Sequence, residues 1–348
     1  MKLIRVFVVL CCFGLFVPVA QAAVPITDVN TALGQVTADS VLVSQWFSDQ
    51  FRYVIPFNAT TGMVVPKQLK IWGIELGIEG AVSGTKVDME GLRNLPTNLV
   101  DTQQVDNFDR FPFPAIIAHA KVGLPFGLDA GIRLGGIPKT TIGENKSATA
   151  TEEAENTKVT LKNRIFGIDV RKKIVEEGVG KPGVTVGLNF TRVSGSIDAT
   201  KDFKTSDNAT VTIAEGYTAD YTSTLDATGG IRSEWDMNSF GVQAIVNKQI
   251  LFMNPYLGAS ANLNSGSVST AIDTAGTLTL TNPLIPADTV TQAVSTRGVG
   301  SASANKWDVR GLAGIEFSIL PFTKLGLQGE FAGTKNLGAS LGLRVQFR

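Results

Sequence analysis

After residue 70 the chain alternates between bulky apolar residues and small or polar ones with a period of two. In residues 71–82, for example, Trp72, Ile74 and Leu76 are separated by glycines and glutamates. This period places successive side chains on opposite faces of a β-strand. The pattern predicts an all-β chain of about ten strands, within residues 71–82, 115–124, 128–135, 166–171, 184–191, 240–247, 257–263, 309–317, 325–331 and 337–347.

The connections between these segments alternate between long and short. The long ones cover residues 83–112, 137–158, 196–233 and 266–305, and the short ones lie near 125–126, 175–182, 248–254 and 320–322. A secreted two-sheet sandwich also alternates along its strands and is the alternative. Long connections at one end and short turns at the other are typical of outer-membrane barrels, which must close because hydrocarbon offers no water to an open edge. We predict a closed antiparallel transmembrane β-barrel with both termini in the periplasm.

The last strand carries the feature that points to a known class. Leu343, Val345 and Phe347 share one face, and Phe347 is followed only by Arg348. With the alternation before it, this strand makes the chain resemble bacterial outer-membrane β-barrel proteins. The resemblance implies that outer-membrane lipid surrounds the barrel domain, residues 68–348. It also implies that the assembly machinery of that membrane reads Leu343, Val345 and Phe347, although members of the class usually end on the aromatic residue itself.

The first 22 residues have the composition of an export signal. Two basic residues precede an apolar stretch at 6–19, and small residues surround a cleavage position near Ala22. The prediction is a signal peptide at residues 1–22 and a mature protein in the bacterial outer membrane. Both cysteines lie in the apolar stretch, so the mature chain has no disulfide to stabilise it.

Residues 23–67 do not alternate. Trp46, Phe47 and Phe51 instead recur at the spacing of one face of a helix. We predict a short amino-terminal helical segment that either enters the lumen as a plug, with these three side chains in contact with the wall, or lies beneath the barrel. Residues 51–57 also fit an extra strand, which would raise the strand count toward twelve.

The polar faces of the predicted strands contain charges of both signs in nearly equal number. A buried charge without a partner costs several kcal/mol, so these side chains are expected to pair across the lumen. The predicted inward-facing network consists of Glu75, Glu79, His119, Lys121, Asp129, Arg133, Asp169, Arg171, Arg310, Glu316, Glu330 and Arg344.

Composition excludes several functions. The chain has 31 basic and 31 acidic residues, so it lacks the positive field of a nucleic-acid-binding protein. Its single histidine, His119, has no neighbouring serine or Asp-x-His pattern, and we predict no catalytic site. One histidine and dispersed carboxylates also predict no metal site and no cofactor.

Function is therefore expected to depend on the lumen or the loops. The many inward glycines favour a small pore or solute-transport barrel of unknown substrate. The alternative is a surface-exposed binding barrel, an adhesin or a structural barrel, since the long connections are rich in Thr, Ser, Ala, Asn and Asp and look solvated. Residues 57–60 are similar to the hatch segment of long-chain fatty-acid transporters, without its proline, which implies a hydrophobic-compound transporter as a further alternative. The pattern leaves the oligomeric state open.

Overall fold

The computed structural model describes residues 29–62, 66–97, 110–145, 156–214, 217–285, 287 and 289–347. The predicted signal peptide lies outside the described residues. Among the described residues, the α-helices are α1 (Val29–Thr60) and α2 (Met89–Arg93). The strands are β1 (Ile74–Lys86), β2 (Arg110–Leu124), β3 (Leu128–Asn145), β4 (Asn156–Val175), β5 (Gly183–Ala214), β6 (Tyr217–Asn247), β7 (Met253–Thr281), β8 (Thr289–Ser303), β9 (Trp307–Leu320), β10 (Thr323–Ala332) and β11 (Asn336–Phe347).

The strands form one closed antiparallel ring. Each strand from β1 to β7 pairs with the next, and β11 returns to β1 with Phe347 opposite Ile74. β9 pairs with residues 253–263 of β7, whereas β8 pairs with residues 267–281 of the same strand. Because β8 and β9 follow one another along β7, eleven strands form a ring of ten at the level of β9. The predicted barrel of about ten strands is confirmed.

The outer surface of the ring carries an apolar belt. Its residues alternate along the strands with buried ones, and Leu76, Ile78 and Ile132 are each about half exposed. At the end with the short turns, the belt finishes with exposed Trp72 and Phe126. An apolar band between aromatic residues is what a barrel presents to lipid. The periodicity of the sequence thus sorts the two faces of each strand correctly.

The segments between the predicted strands differ from expectation. Residues 196–233 and 266–305, expected to be solvated loops, mostly continue β5, β6, β7 and β8 well beyond the ring. The reason is a second period of two, because Val193, Ile197 and Ile231 are buried on the inner face of these extensions. Threonine, which is abundant on the outer face, also favours strands. We call residues 137–145, 156–163, 192–214, 217–238, 264–281 and 289–303, from β3 to β8, the outer sheet.

Helix α1 lies inside the barrel and the outer sheet. Ser40 is level with Gly298 in β8, Arg52 bonds to Asn305, and the end of the helix reaches Arg310 in β9. The helix therefore begins among the outer strands and runs toward the short turns. Within the described residues, neither helix is long and apolar enough to cross a membrane.

The path of α1 corrects one expectation and leaves a second one untested. The alternative of an extra strand at residues 51–57 is wrong, since those residues belong to the helix. The carboxyl end lies with the short turns, which face the periplasm in such barrels. The amino end of α1 lies at the opposite end, however, because the helix passes along the lumen. An even number of strands places both ends of the barrel on one side, but it does not fix where a helix before the first strand begins. Residue 29 thus lies on the outer side, and the predicted periplasmic position of the mature amino terminus lies outside the described residues.

Candidate functional site

The twelve charged or histidine side chains predicted to face the lumen are all buried, none of them more than 8% exposed. They lie on the inner face of β1, β2, β3, β4, β9, β10 and β11, at the level of the apolar belt. We call them, together with Asp308, the charged layer. The structure brings them together in three groups.

The first group joins β2, β3 and β4. The ammonium of Lys121 lies 2.7 Å from a carboxylate oxygen of Asp169. Arg171 donates through Nε and Nη2 to the two oxygens of Asp129, at 2.8 and 2.5 Å. The register explains the meeting, because Asp129 stands directly opposite Arg171 and both point inward. A fork-to-fork pair of this kind is among the strongest polar contacts in proteins.

The second group crosses the seam where the ring closes. Glu75 of β1 accepts a bond of 2.6 Å from Gln346 and lies 3.3 Å from Nε2 of His119. Arg344 reaches both Glu75, at 3.6 Å, and Glu316. One guanidinium thus serves two carboxylates, and the first and last strands are joined by side chains as well as by their backbones.

The third group connects the barrel wall to the end of α1. Arg310 donates to Glu330 at 2.9 Å, pairs with Asp308, and bonds at 2.7 Å to the Thr60 hydroxyl. The backbone of Gly62 donates to Glu330 at 2.6 Å. Gly62 has a φ of +80°, and an added Cβ would lie 2.1 Å from Glu79, so only glycine fits between the two glutamates.

Two residues of the charged layer depart from the sequence analysis. Asp308 was not predicted, although its position two residues before Arg310 on the same face was a usable signal. Arg133 bonds to the Thr191 hydroxyl, but no carboxylate of the described residues lies within ion-pair distance of its guanidinium. It lines a cavity of 30 Å³ beneath α1, with room for roughly two waters.

Above the charged layer, α1 is seated on two glycines of β8. A Cβ added to Gly300 would lie 2.2 Å from the backbone nitrogen of Gln45, and one added to Gly298 would lie 2.3 Å from the backbone of Ser40. Helix and strand therefore touch backbone to backbone. On the same helix face, the hydroxyls of Ser44 and Ser48 donate to the carbonyls of Gly298 and Gly300, each at 3.1 Å.

The opposite faces of α1 contact an apolar interior. The three predicted plug residues lie here, with Trp46 and Phe51 buried and Phe47 half-buried. The Phe51 ring lies 6.3 Å from that of Trp235 in β6, which in turn lies 5.7 Å from Phe113 in β2. The helix thus fills the space between strands on opposite sides of the ring.

Residues 87–97, at the start of the connection between β1 and β2, also contact α1. The Trp46 indole donates to the carbonyl of Asp88 at 2.9 Å, and the Asp88 backbone donates to Gln50. Leu92 of α2 is fully buried in the same apolar cluster. Strands, connection and helix therefore form one core.

The outer sheet and the neighbouring end of β2 leave three strand edges without a strand partner among the described residues. β2 has no partner on its β3 side over residues 110–115, β3 has none on its β2 side over 137–145, and β8 pairs only with β7. On the outer face, Arg232 bonds to Glu234. The hydrogen bond and charge of that carboxylate raise the pKa of Arg232.

The predicted assembly residues Leu343, Val345 and Phe347 lie on the outward face of β11. They stand opposite Ile78, Leu76 and Ile74, respectively, at the seam. Their position is open to lipid, and their reading by assembly machinery stays a prediction. Among the described residues, no three His, Cys, Asp or Glu side chains are arranged to hold a metal ion.

A closed ring, an apolar outer belt and a polar interior at the same level are the features of an outer-membrane β-barrel. The chain is such a barrel. No family model matches it, and no curated protein matches it.

Three solved structures illustrate the similarity of fold. The outer membrane protease OmpT from Escherichia coli is 10% identical, with 83% of this chain and 100% of that chain covered and a TM-score of 0.37. The translocator domain of autotransporter NalP from Neisseria meningitidis is 10% identical, with 94% and 100% covered and a TM-score of 0.29. The toluene transporter TbuX from Ralstonia pickettii is 9% identical, with 80% and 90% covered and a TM-score of 0.23. These similarities carry no argument about function.

Proposed function

We propose that this protein is a closed barrel that works at the cell surface, where the outer sheet binds a macromolecular partner. The presence of α1 and of the charged layer inside the ring is the observation that carries the proposal. The charged layer is held by ion pairs between strands that are adjacent or one strand apart, and α1 occupies the space above in backbone contact with β8. A constitutive pore needs a continuous aqueous path, which these two layers oppose.

The outer sheet supplies the surface that such a function needs. β5 and β6 remain paired from the ring to Ala214 and Tyr217, and β7 and β8 remain paired to Thr281 and Thr289. At about 3.3 Å per residue, the 22 residues of β5 beyond Arg192 extend for roughly 70 Å along the strand. An apolar core on the inner side of the lower part stiffens this projection.

The interior does not favour an enzyme. The sole histidine is buried, its Nε2 faces Glu75, and its Nδ1 has no hydrogen-bond partner. Among the described residues, no hydroxyl lies within bonding distance of that imidazole to act as a nucleophile. The absence of catalysis remains part of the proposal.

The proposal is tested by shortening the outer sheet. Residues 200–230, which are paired above the apolar core, are replaced by a two-residue Asn-Gly turn of the type that joins hairpin strands. Cells that produce the full chain should adhere to at least one of a panel of immobilised matrix proteins and polysaccharides, and the shortened variant should reduce adhesion to the level of cells without the protein.

The control is the exposed pair Arg192 and Asp236, replaced together by Ser, which leaves the length of the sheet unchanged. Both variants are checked for folding by the heat-dependent shift of barrel mobility on gels. Equal adhesion by cells with the full chain, with the shortened chain and without the protein would contradict the proposal.

A further inference from the structure

The three unpaired edges, of β2, β3 and β8, are not alike. Natural sheets protect free edges with prolines, lysines and bulges, because an open ladder of N–H and C=O groups pairs with any extended chain. The β2 edge carries Pro112 and Pro114 in residues 110–115. The β3 edge carries Pro138 and Lys139, and its register shifts between Ile137 and Thr140. Two of the three edges are therefore blocked.

The β8 edge has none of these devices. Residues 289–303 contain no proline or lysine, and their pairing with β7 runs without a register shift. At Ser301 this edge is covered by α1. The Gln45 amide donates to the Ser301 carbonyl at 3.0 Å and accepts from the Ser301 N–H at 3.1 Å, as a neighbouring strand would.

The bonds to Ser301 fix the direction of the other backbone groups. In an antiparallel strand the N–H and C=O of alternate residues point to the same side. Since those of Ser301 point away from β7, so do those of Arg297, Ser295, Ala293 and Thr291. The side chains of these four residues are exposed, and three of them are small.

We propose that this edge, residues 291–297, binds an extended segment of another polypeptide outside the cell by antiparallel strand addition. The inference rests on the proposed surface function and names the class of its partner. The free N–H and C=O groups lie on every second residue, and an extended backbone is the partner that can form hydrogen bonds with all of them at once. The addition of a strand to a sheet edge is a common mode of peptide binding.

The direction of β8 excludes a second copy in the same membrane as the antiparallel partner. β8 runs from the outer end at Thr289 toward the membrane at Ser303. A neighbouring copy in the same bilayer has its β8 in the same direction, so the two strands would meet in parallel. A different molecule has no such restriction.

The test uses a proline that removes one outward N–H. Ser295→Pro deletes a donor at the free edge and leaves the pairing with β7 intact, a position where edge strands accept proline. Ser295→Ala is the matched control, since it removes the hydroxyl and keeps the N–H. Both variants should show the wild-type mobility shift on gels.

The probe is a fluorescent synthetic peptide with the sequence of residues 267–281, which pairs with β8 residue by residue on its other side. The peptide is titrated with the detergent-folded full chain, and its fluorescence anisotropy is measured. The anisotropy should rise to saturation with wild type and with Ser295→Ala, and the affinity for Ser295→Pro should be at least tenfold weaker. No saturation with wild type, or equal affinity for the two variants, would overturn the proposal.

Two further readouts separate the possible failures. Proteoliposomes that carry wild type are compared with proteoliposomes that carry Ser295→Pro. If the wild-type vesicles cluster and the variant vesicles do not, the edge binds a copy in an opposing membrane, which overturns the assignment to a different polypeptide. If cells with Ser295→Pro adhere like wild type while the shortened outer sheet does not, strand addition is wrong and the proposed surface function stands.

Discussion

The side chain of Gln45 forms two hydrogen bonds with the backbone of Ser301 and so takes the place of a missing strand. Together with the close packing of the helix backbone on Gly298 and Gly300, this contact positions α1 along β8. Helix α1 also contacts the charged layer at its carboxyl end, so the helix, the outer sheet and the charged layer form one packed unit.

The contact between Gln45 and Ser301 should contribute measurably to stability. Gln45→Ala removes two partly solvated hydrogen bonds, and we expect the free energy of unfolding to fall by about 1–2 kcal/mol. Urea unfolding in detergent, followed by tryptophan fluorescence, measures the loss. Ala38→Ser, at an exposed position on the same helix, is the control and should cost only the small difference in helix propensity. Equal losses for both variants would show that the contact contributes nothing.

Gly300, which packs against the backbone of α1, should not tolerate an added methyl group. Gly300→Ala places a Cβ within 2.2 Å of the helix backbone, so either helix or strand must move. We expect a loss of about 1–3 kcal/mol, as for other overpacked sites, and faster proteolysis within α1. Gly80→Ala in β1, where an added Cβ meets nothing within 4 Å, is the control. A Gly300→Ala protein as resistant to protease as the control would refute the close packing.

Arg310 and Arg133 should differ in their contribution to stability. Arg310→Ala leaves Glu330 and Asp308 buried without their cation, which should cost about 3–5 kcal/mol. Arg133→Ala removes a cation that has no carboxylate within ion-pair distance, and we expect less than half that loss. Urea unfolding in detergent compares the two variants. A loss for Arg133→Ala as large as that for Arg310→Ala would contradict the described pairing.

Trp235 should be the tryptophan on which the apolar interior depends most. It is 3% exposed, lies beside Phe51 and Phe113, and donates to Asn163 at 3.2 Å. Trp235→Ala should lower the free energy of unfolding by about 3–5 kcal/mol. Trp307→Ala, at a position 59% exposed on the outer surface, should cost much less. Unfolding followed by circular dichroism avoids the change in fluorescence, and a larger loss for Trp307→Ala would contradict the placement of the core.

The sequence predicts the barrel well because alternation is local. Each pair such as Leu76 and Glu75 reports the two faces of its strand, and the inward charges follow directly from that rule. The same alternation, continued from Arg310 to the residue two positions earlier, also places Asp308 on the inward face.

The outer features depend on contacts that local patterns do not show. Gln45 and Ser301 lie 256 residues apart in the chain, and neither is unusual in its own segment. Gly298 and Gly300 read as ordinary strand glycines until a helix backbone lies against them. The direction of α1 along the lumen follows from these distant contacts rather than from its own sequence.

The closed lumen is tested most directly by electrical recording of the full protein in planar bilayers. With the charged layer paired and α1 seated on Gly298 and Gly300, we expect no steady unitary conductance at moderate voltages, in membranes where an open porin gives clear steps. Steady steps of uniform size from wild type, lost after the helix is locked by a disulfide to β8, would show that α1 moves aside and would contradict the closed barrel.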